Sequence, residues 1–128
     1  MATVKQWVAG ARPRTLPAAV APVLIGSAIA DYEKSFHALI ALCALIVSVS
    51  LQVGVNYAND YSDGIRGTDD VRVGPLRLVG QKLAKPETVR LAAILSFVVA
   101  IVAGLLMTVL SGLWILLPIG LSAVVSAW

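Results

Sequence analysis

From Asn56 to Arg77 the chain reads NYANDYSDGIRGTDDVRVGPLR, the point at which an uncharged run gives way to carboxylates, glycines and arginines. Reading back into that run, Gln52, Asn56, Asn59 or Asp60, and Asp63 recur at i, i+4, i+7, i+11, the spacing that stacks side chains on one helix face. That face is a column of oxygen ligands. Carboxylate and carboxamide oxygens suit a hard cation such as Mg²⁺, which keeps several waters and is held by one or two carboxylates plus the oxygens of a phosphate substrate. A membrane helix ending in such a column can hold a diphosphate through bridging metal. Arg72 or Arg77 would then fork onto phosphate oxygens, as a planar guanidinium does well.

A plainer reading competes with this chemistry. Asp60, Asp63, Asp69 and Asp70 stand beside Arg66, Arg72 and Arg77, and a solvated loop of mixed charge with ion pairs worth about 0 to 1 kcal/mol each would look the same. That reading suits Asp70 and Lys85. It suits Asn56, Asp60 and Asp63 less well, because they continue the face of a membrane helix. Desolvating them without a compensating cation costs on the order of several kcal/mol.

The elements that must position this stretch are membrane helices. The 128 residues are 59% hydrophobic and only 13% charged, with a mean hydropathy of +0.87, against about 25% charged for an average soluble domain. No Asp, Glu, Lys or Arg occurs between Thr15 and Ala30, between Ser35 and Asn59, or from Leu91 to Trp128. A hydrocarbon core of ~30 Å demands such runs, since about 20 apolar residues cross it. The expectation is an all-α, multi-pass transmembrane bundle with four helices, at about 15–30, 36–59, 87–110 and 113–128, and a polar loop at 60–86. The net charge of +3 does not indicate nucleic acid, because the basic residues flank the membrane segments and form no stripe interleaved with aromatics.

Along the chain, Met1 to Arg14 carries Lys5, Arg12 and Arg14 without an acid. No cleavage region of small residues follows, so the segment reads as an uncleaved start, with Val4, Trp7 and Val8 forming a short interfacial helix. The first span, TLPAAVAPVLIGSAIA, holds Pro17 and Pro22 and covers only about 24 Å. It must be supplemented by Arg14 reaching to the interface or by bending at Pro22, and its small residues read as helix packing. His37 reads as a solvated helix end, and Cys43 as a small buried apolar residue that cannot form an internal disulfide. Ser48, Ser50, Gln52 and Asn56 make the second helix increasingly polar, so its later half should face the bundle interior. Pro86 and Glu87 open the third helix, and Ser111 with Gly112 makes the next turn. Positive charge gathers in the amino terminus and in the 60–86 loop, whereas the turn at Asp31 to Ser35 has only Lys34. The positive-inside rule puts the amino terminus and the loop in the cytoplasm, at a plasma or inner membrane. The last run stops at Trp128 with no cap and no basic flank, the look of a truncated chain.

NDYSDGIRGTD from Asn59 to Asp69, followed by Arg72 and by GPLR from Gly74 to Arg77, resembles the first aspartate-rich motif of the UbiA-type intramembrane aromatic prenyltransferases. ARPRTLPAAVAPVLIGSA, Ala11 to Ala28, resembles the branch of that family that prenylates 1,4-dihydroxy-2-naphthoate in menaquinone synthesis. The resemblance runs over essentially the whole chain. It implies a bundle of about nine helices, of which four are present, around a cavity open to lipid. It further implies Mg²⁺ bound by Asn56, Asp60, Asp63 and Asp69, with Asp60 and Asp63 as the catalytic carboxylates. The diphosphate of a polyprenyl donor would meet Arg72, Arg77 and Lys82, and the acceptor would lose CO₂ to give demethylmenaquinone. Where the wider family often has another Asp, Gly67 stands here. The second aspartate motif would belong to a missing carboxy-terminal half of the domain, so this chain alone is expected to be inactive. The competing expectation is a small four-helix membrane protein, a transporter fragment or an assembly partner, whose acidic loop binds cations or faces water.

Overall fold

In the computed structural model, residues 2–67 and 75–128 are described. They are helical throughout their ordered elements, and no strand occurs among the described residues. Helix α1, Val4–Gly10, opens on Thr3, whose hydroxyl accepts from the Gln6 amide while the Gln6 side chain accepts from the Thr3 amide. This reciprocal cap satisfies donors that the first turn leaves open. A single 3₁₀ turn at Pro13–Thr15 follows. It leads into α2, Leu16–Tyr32, which runs through Pro22 as one continuous helix.

Helix α3, Ala38–Arg66, continues about two turns beyond the Asn59 boundary read from the sequence. Asp60 and Asp63 therefore stand on the helix itself, not on a loop. Helix α4, Pro86–Ser111, starts at the expected proline and ends at Gly112 in a left-handed conformation. Helix α5 is shorter than expected, Leu116–Ala127, because Leu113 and Trp114 are spent in a turn closed by the Leu116 and Leu117 amides. Among the described residues three segments are long and apolar enough to cross a membrane, Val4–Tyr32, Ala38–Arg66 and Pro86–Ser111, with α5 as a shorter apolar helix. The chain is a multi-pass helical membrane protein.

Packing is concentrated between α3 and α4. The buried stripe of α4, Val89, Ala93, Phe97, Ala100 and Ala103, recurs at three- and four-residue intervals. Small residues there let two helix backbones come close, which is how helices associate when lipid is as apolar as the side chains. The other faces of α4 and α5 are exposed hydrophobics such as Leu95, Val102, Val109 and Leu121, as a lipid-facing surface requires. Helix α2 is tied to α3 by the Ser48 hydroxyl, which donates to the Ala19 carbonyl at 2.6 Å. Toward the 31–35 turn the two helices separate around an apolar groove of about 380 Å³, lined by Pro22, Gly26, Phe36 and Ile40 among others. The principal core lies at the opposite end, where Tyr57, Ala58, Leu78, Val79, Val89, Ala93 and Phe97 close on one another.

Candidate functional site

The oxygen column of α3 lies beside this core, and its members turn to different partners. Gln52 and Asn56 point amide nitrogens at the 3₁₀ turn. The Asn56 Nδ2 donates to the Ala11 carbonyl at 2.9 Å and to the Thr15 hydroxyl at 3.2 Å, and Gln52 Nε2 reaches the same hydroxyl at 3.4 Å. Thr15 in turn donates to the Arg12 carbonyl. On the residue after Asn56, the Tyr57 hydroxyl donates to the Trp7 carbonyl at 2.9 Å, and the two rings meet edge to face at 5.6 Å. The amino-terminal segment is thereby fastened to the end of α3 that carries the acids.

Asp60 is 1% exposed. Its carboxylate accepts from two successive backbone amides, Leu78 at 2.7 Å and Val79 at 3.1 Å, one on each oxygen. Around this grip the segment after Pro75 folds on itself. The Leu78 carbonyl accepts from the amides of Leu83 and Ala84, and the Val79 carbonyl from that of Lys82. Leu78 is fully buried, and the seat is cut to fit: a Cβ on Gly10 would lie 2.8 Å from Leu78 Cδ1, and one on Gly64 would run into the Val79 side chain. At Gly64, only a residue without a side chain lets Val79 and the Gly80 backbone lie this close to α3.

Arg77, immediately before this grip, pairs with Asp63 at 3.0 Å, with side-chain exposures of 11% and 32%. Asp63 is the more exposed member of the pair. Lys82 is exposed on the same segment, and Arg90 of α4 places its guanidinium 6.0 Å from the centre of the Tyr61 ring. Asp69 and Arg72, both expected in the site, lie outside the described residues. Among the described residues no three His, Cys, Asp or Glu side chains gather closely enough to hold a metal ion. Of the expected ligands on α3, Asp63 alone keeps a partly exposed carboxylate, at 32%, and Mg²⁺ is a cation that takes as few as one or two protein carboxylates, with water and substrate phosphate completing its shell.

Gly64, Thr15, Tyr57 and Arg90 were not singled out by the sequence as site residues. The only signal for Gly64 was its place directly after Asp63, in a helix that reads as ending earlier. A membrane bundle that joins, at one end, a buried carboxylate clamp to an acid and arginine pair defines a class, helical membrane proteins with a polar cluster at one end of the bundle.

Comparison with known proteins narrows the class. The chain is 53% identical over 128 residues to a protein of Mycobacterium leprae named 1,4-dihydroxy-2-naphthoate octaprenyltransferase, covering all of this chain and 43% of that one. It is 38% identical over 100 residues to the Escherichia coli protein of the same name, 77% of this chain and 32% of the relative. A Drosophila melanogaster homolog of UbiA prenyltransferase domain-containing protein 1 is 32% identical over 95 residues, 72% of this chain and 26% of the relative. No family model matches the chain, and no solved structure matches it. The chain is a relative of the UbiA-type prenyltransferases, similar to the 1,4-dihydroxy-2-naphthoate branch, and it spans less than half the length of the curated relatives it matches.

Proposed function

We propose that this chain supplies the donor-diphosphate end of a prenyltransferase that joins a polyprenyl group to 1,4-dihydroxy-2-naphthoate with loss of CO₂. The observation that carries the reading is an alignment over the whole chain, 53% identical, with relatives bearing that name, joined at the site by an arginine and a carboxylate 3.0 Å apart. In the reaction the allylic C–O bond breaks and its electron pair leaves on diphosphate. A ring carbon of the acceptor bonds the allylic carbon, and the acceptor carboxylate departs as CO₂.

Arg77 meets the charge gathering on the leaving diphosphate, with Lys82 and Arg72 as further cations. Such electrostatic stabilisation is worth several kcal/mol, about 3 for a single well-placed donor. Asp63, joined by Asp69, would hold Mg²⁺, which when bound neutralises diphosphate charge. The apolar helix faces accommodate the prenyl tail and keep water from quenching the cation. The amino terminus and the Pro75 to Lys85 segment meet at one end of the bundle. We assign that end to the cytoplasm on the positive-inside rule.

A second reading, a small membrane protein whose acids serve only its own fold, has one observation in its favour. Asn56, Asp60 and Asp63 reach three different sets of partners. Complementation separates the two. Co-expressed in cells unable to make demethylmenaquinone with the part of the M. leprae relative that this chain does not match, the chain should restore the quinone, and neither piece should do so alone. Failure here, while the relative's own matching part succeeds, would remove the prenyltransferase reading.

A further inference from the structure

Of the two acids on α3, Asp60 is the one placed less like a metal ligand. It is 1% exposed, both of its oxygens already accept backbone amides, and those amides belong to the two residues that follow Arg77. A carboxylate buried in this way is stabilised by its hydrogen bonds, and losing them strands a polar group at full desolvation cost. The neighbouring contacts serve the same end. Leu78 fills the space over Gly10, Val79 lies against Gly64, and the Leu78 carbonyl gathers the amides of Leu83 and Ala84. The ion pair of Arg77 with Asp63 sits directly beside the clamp.

We infer that Asp60 is a positioning residue: by clamping the Leu78 and Val79 amides it fixes Arg77 against Asp63, and it holds no metal itself. The inference rests on the proposed diphosphate site for its consequence but not for its geometry, and the two separate experimentally. Arg77 is presented by a short turn with no regular secondary structure of its own. Without the clamp the guanidinium would sample many positions, and ordering a long side chain at the moment of binding carries an entropic cost. The clamp meets that cost during folding.

The test uses the whole 128-residue chain in nanodiscs, as wild type, Asp60→Asn, Gly64→Ala, Asp63→Asn, Arg77→Ala and the Asp60→Asn/Arg77→Ala pair. Hydrogen exchange at the Leu78 and Val79 amides reads the clamp without any ligand. It should quicken about tenfold or more in Asp60→Asn, the loss expected for one charge-assisted hydrogen bond, and stay unchanged in Asp63→Asn. Inorganic pyrophosphate with Mg²⁺ reads the consequence. Asp60→Asn should weaken binding about as much as Arg77→Ala, the pair should be no worse than Arg77→Ala alone, and Mn²⁺ affinity measured by itself should fall only in Asp63→Asn.

Gly64→Ala keeps every charged group and should reproduce both effects of Asp60→Asn, so the account stays open to refutation where the latter fails to assemble. A wild-type chain that ignores pyrophosphate would defeat the proposed function while the exchange data still judged the clamp. Unchanged exchange in both Asp60→Asn and Gly64→Ala, or a loss of Mn²⁺ affinity in Asp60→Asn equal to that in Asp63→Asn, would overturn the inference.

Discussion

The side-chain amide of Asn56 donates to the backbone carbonyl of Ala11 at 2.9 Å, tying the middle of the second membrane pass to the residue that closes α1. Asn56 is 3% exposed, and its nitrogen also meets the Thr15 hydroxyl. Its position in the oxygen column suggested an acceptor, yet the nitrogen end does the visible holding. Asn56→Asp removes the donor and turns an oxygen toward the Ala11 carbonyl. The expected outcome is a loss of stability of about 1 to 3 kcal/mol, at least as large as that of Asn56→Ala, read by denaturation in detergent. A carboxylate better than the amide at that position would favour direct metal binding instead.

Arg77→Lys keeps the charge but not the fork. A guanidinium presents paired donors to two oxygens at once, whereas an ammonium is a flexible point charge. Pyrophosphate affinity should fall about tenfold, a magnitude typical of one charged hydrogen bond. It should also decline as ionic strength rises, because Asp63 and its neighbourhood remain partly solvated and exposed charges are screened. Titration at several salt concentrations checks both effects.

Ser48→Ala severs the 2.6 Å bond to the Ala19 carbonyl, the polar tie between α2 and α3. Interhelical hydrogen bonds of this kind average about 0.6 kcal/mol in membranes. A modest drop in unfolding free energy is expected, with no change in pyrophosphate binding, since the site lies toward the other end of α3. Equilibrium unfolding in bicelles together with a binding curve measures the two separately.

Topology gives a fourth prediction. Cys43 is buried at 2% exposure and should stay silent toward a membrane-impermeant thiol reagent. Lys82→Cys should label only from the cytoplasmic side, and Lys34→Cys, in the turn between α2 and α3, only from the opposite side. Labelling in intact cells against inverted vesicles distinguishes them, and the reverse pattern would invert the assignment.

Much of the fold was legible because hydrophobic length has few structural solutions in lipid. The uncharged runs marked the membrane helices, Pro86 marked the start of α4, and Ser111 with Gly112 marked its end. A short helix around Trp7 also stands where the amino-terminal pattern suggested. The end of α3 was misjudged for a physical reason. Charge begins at Asp60, but the helix continues to Arg66 because the Asp60 carboxylate is buried in a protein clamp and needs no water. Helix spacing correctly aligned Asn56, Asp60 and Asp63 on one face. It could not say that the amino-terminal segment would take Asn56 while a loop downstream folded back to take Asp60 and Asp63, each through different groups. Such pairing depends on where Leu78 packs, and a single sequence carries no periodic trace of it.

Calorimetric titration of inorganic pyrophosphate into the 128-residue chain, with and without Mg²⁺, bears most directly on the claim that the mouth beside Asp63 and Arg77 grips a diphosphate. Saturable binding that needs Mg²⁺ and drops about tenfold or more in both Asp63→Asn and Arg77→Ala is the predicted result. Heat indistinguishable from dilution in the folded wild-type chain, or binding equally strong in both variants, would contradict it.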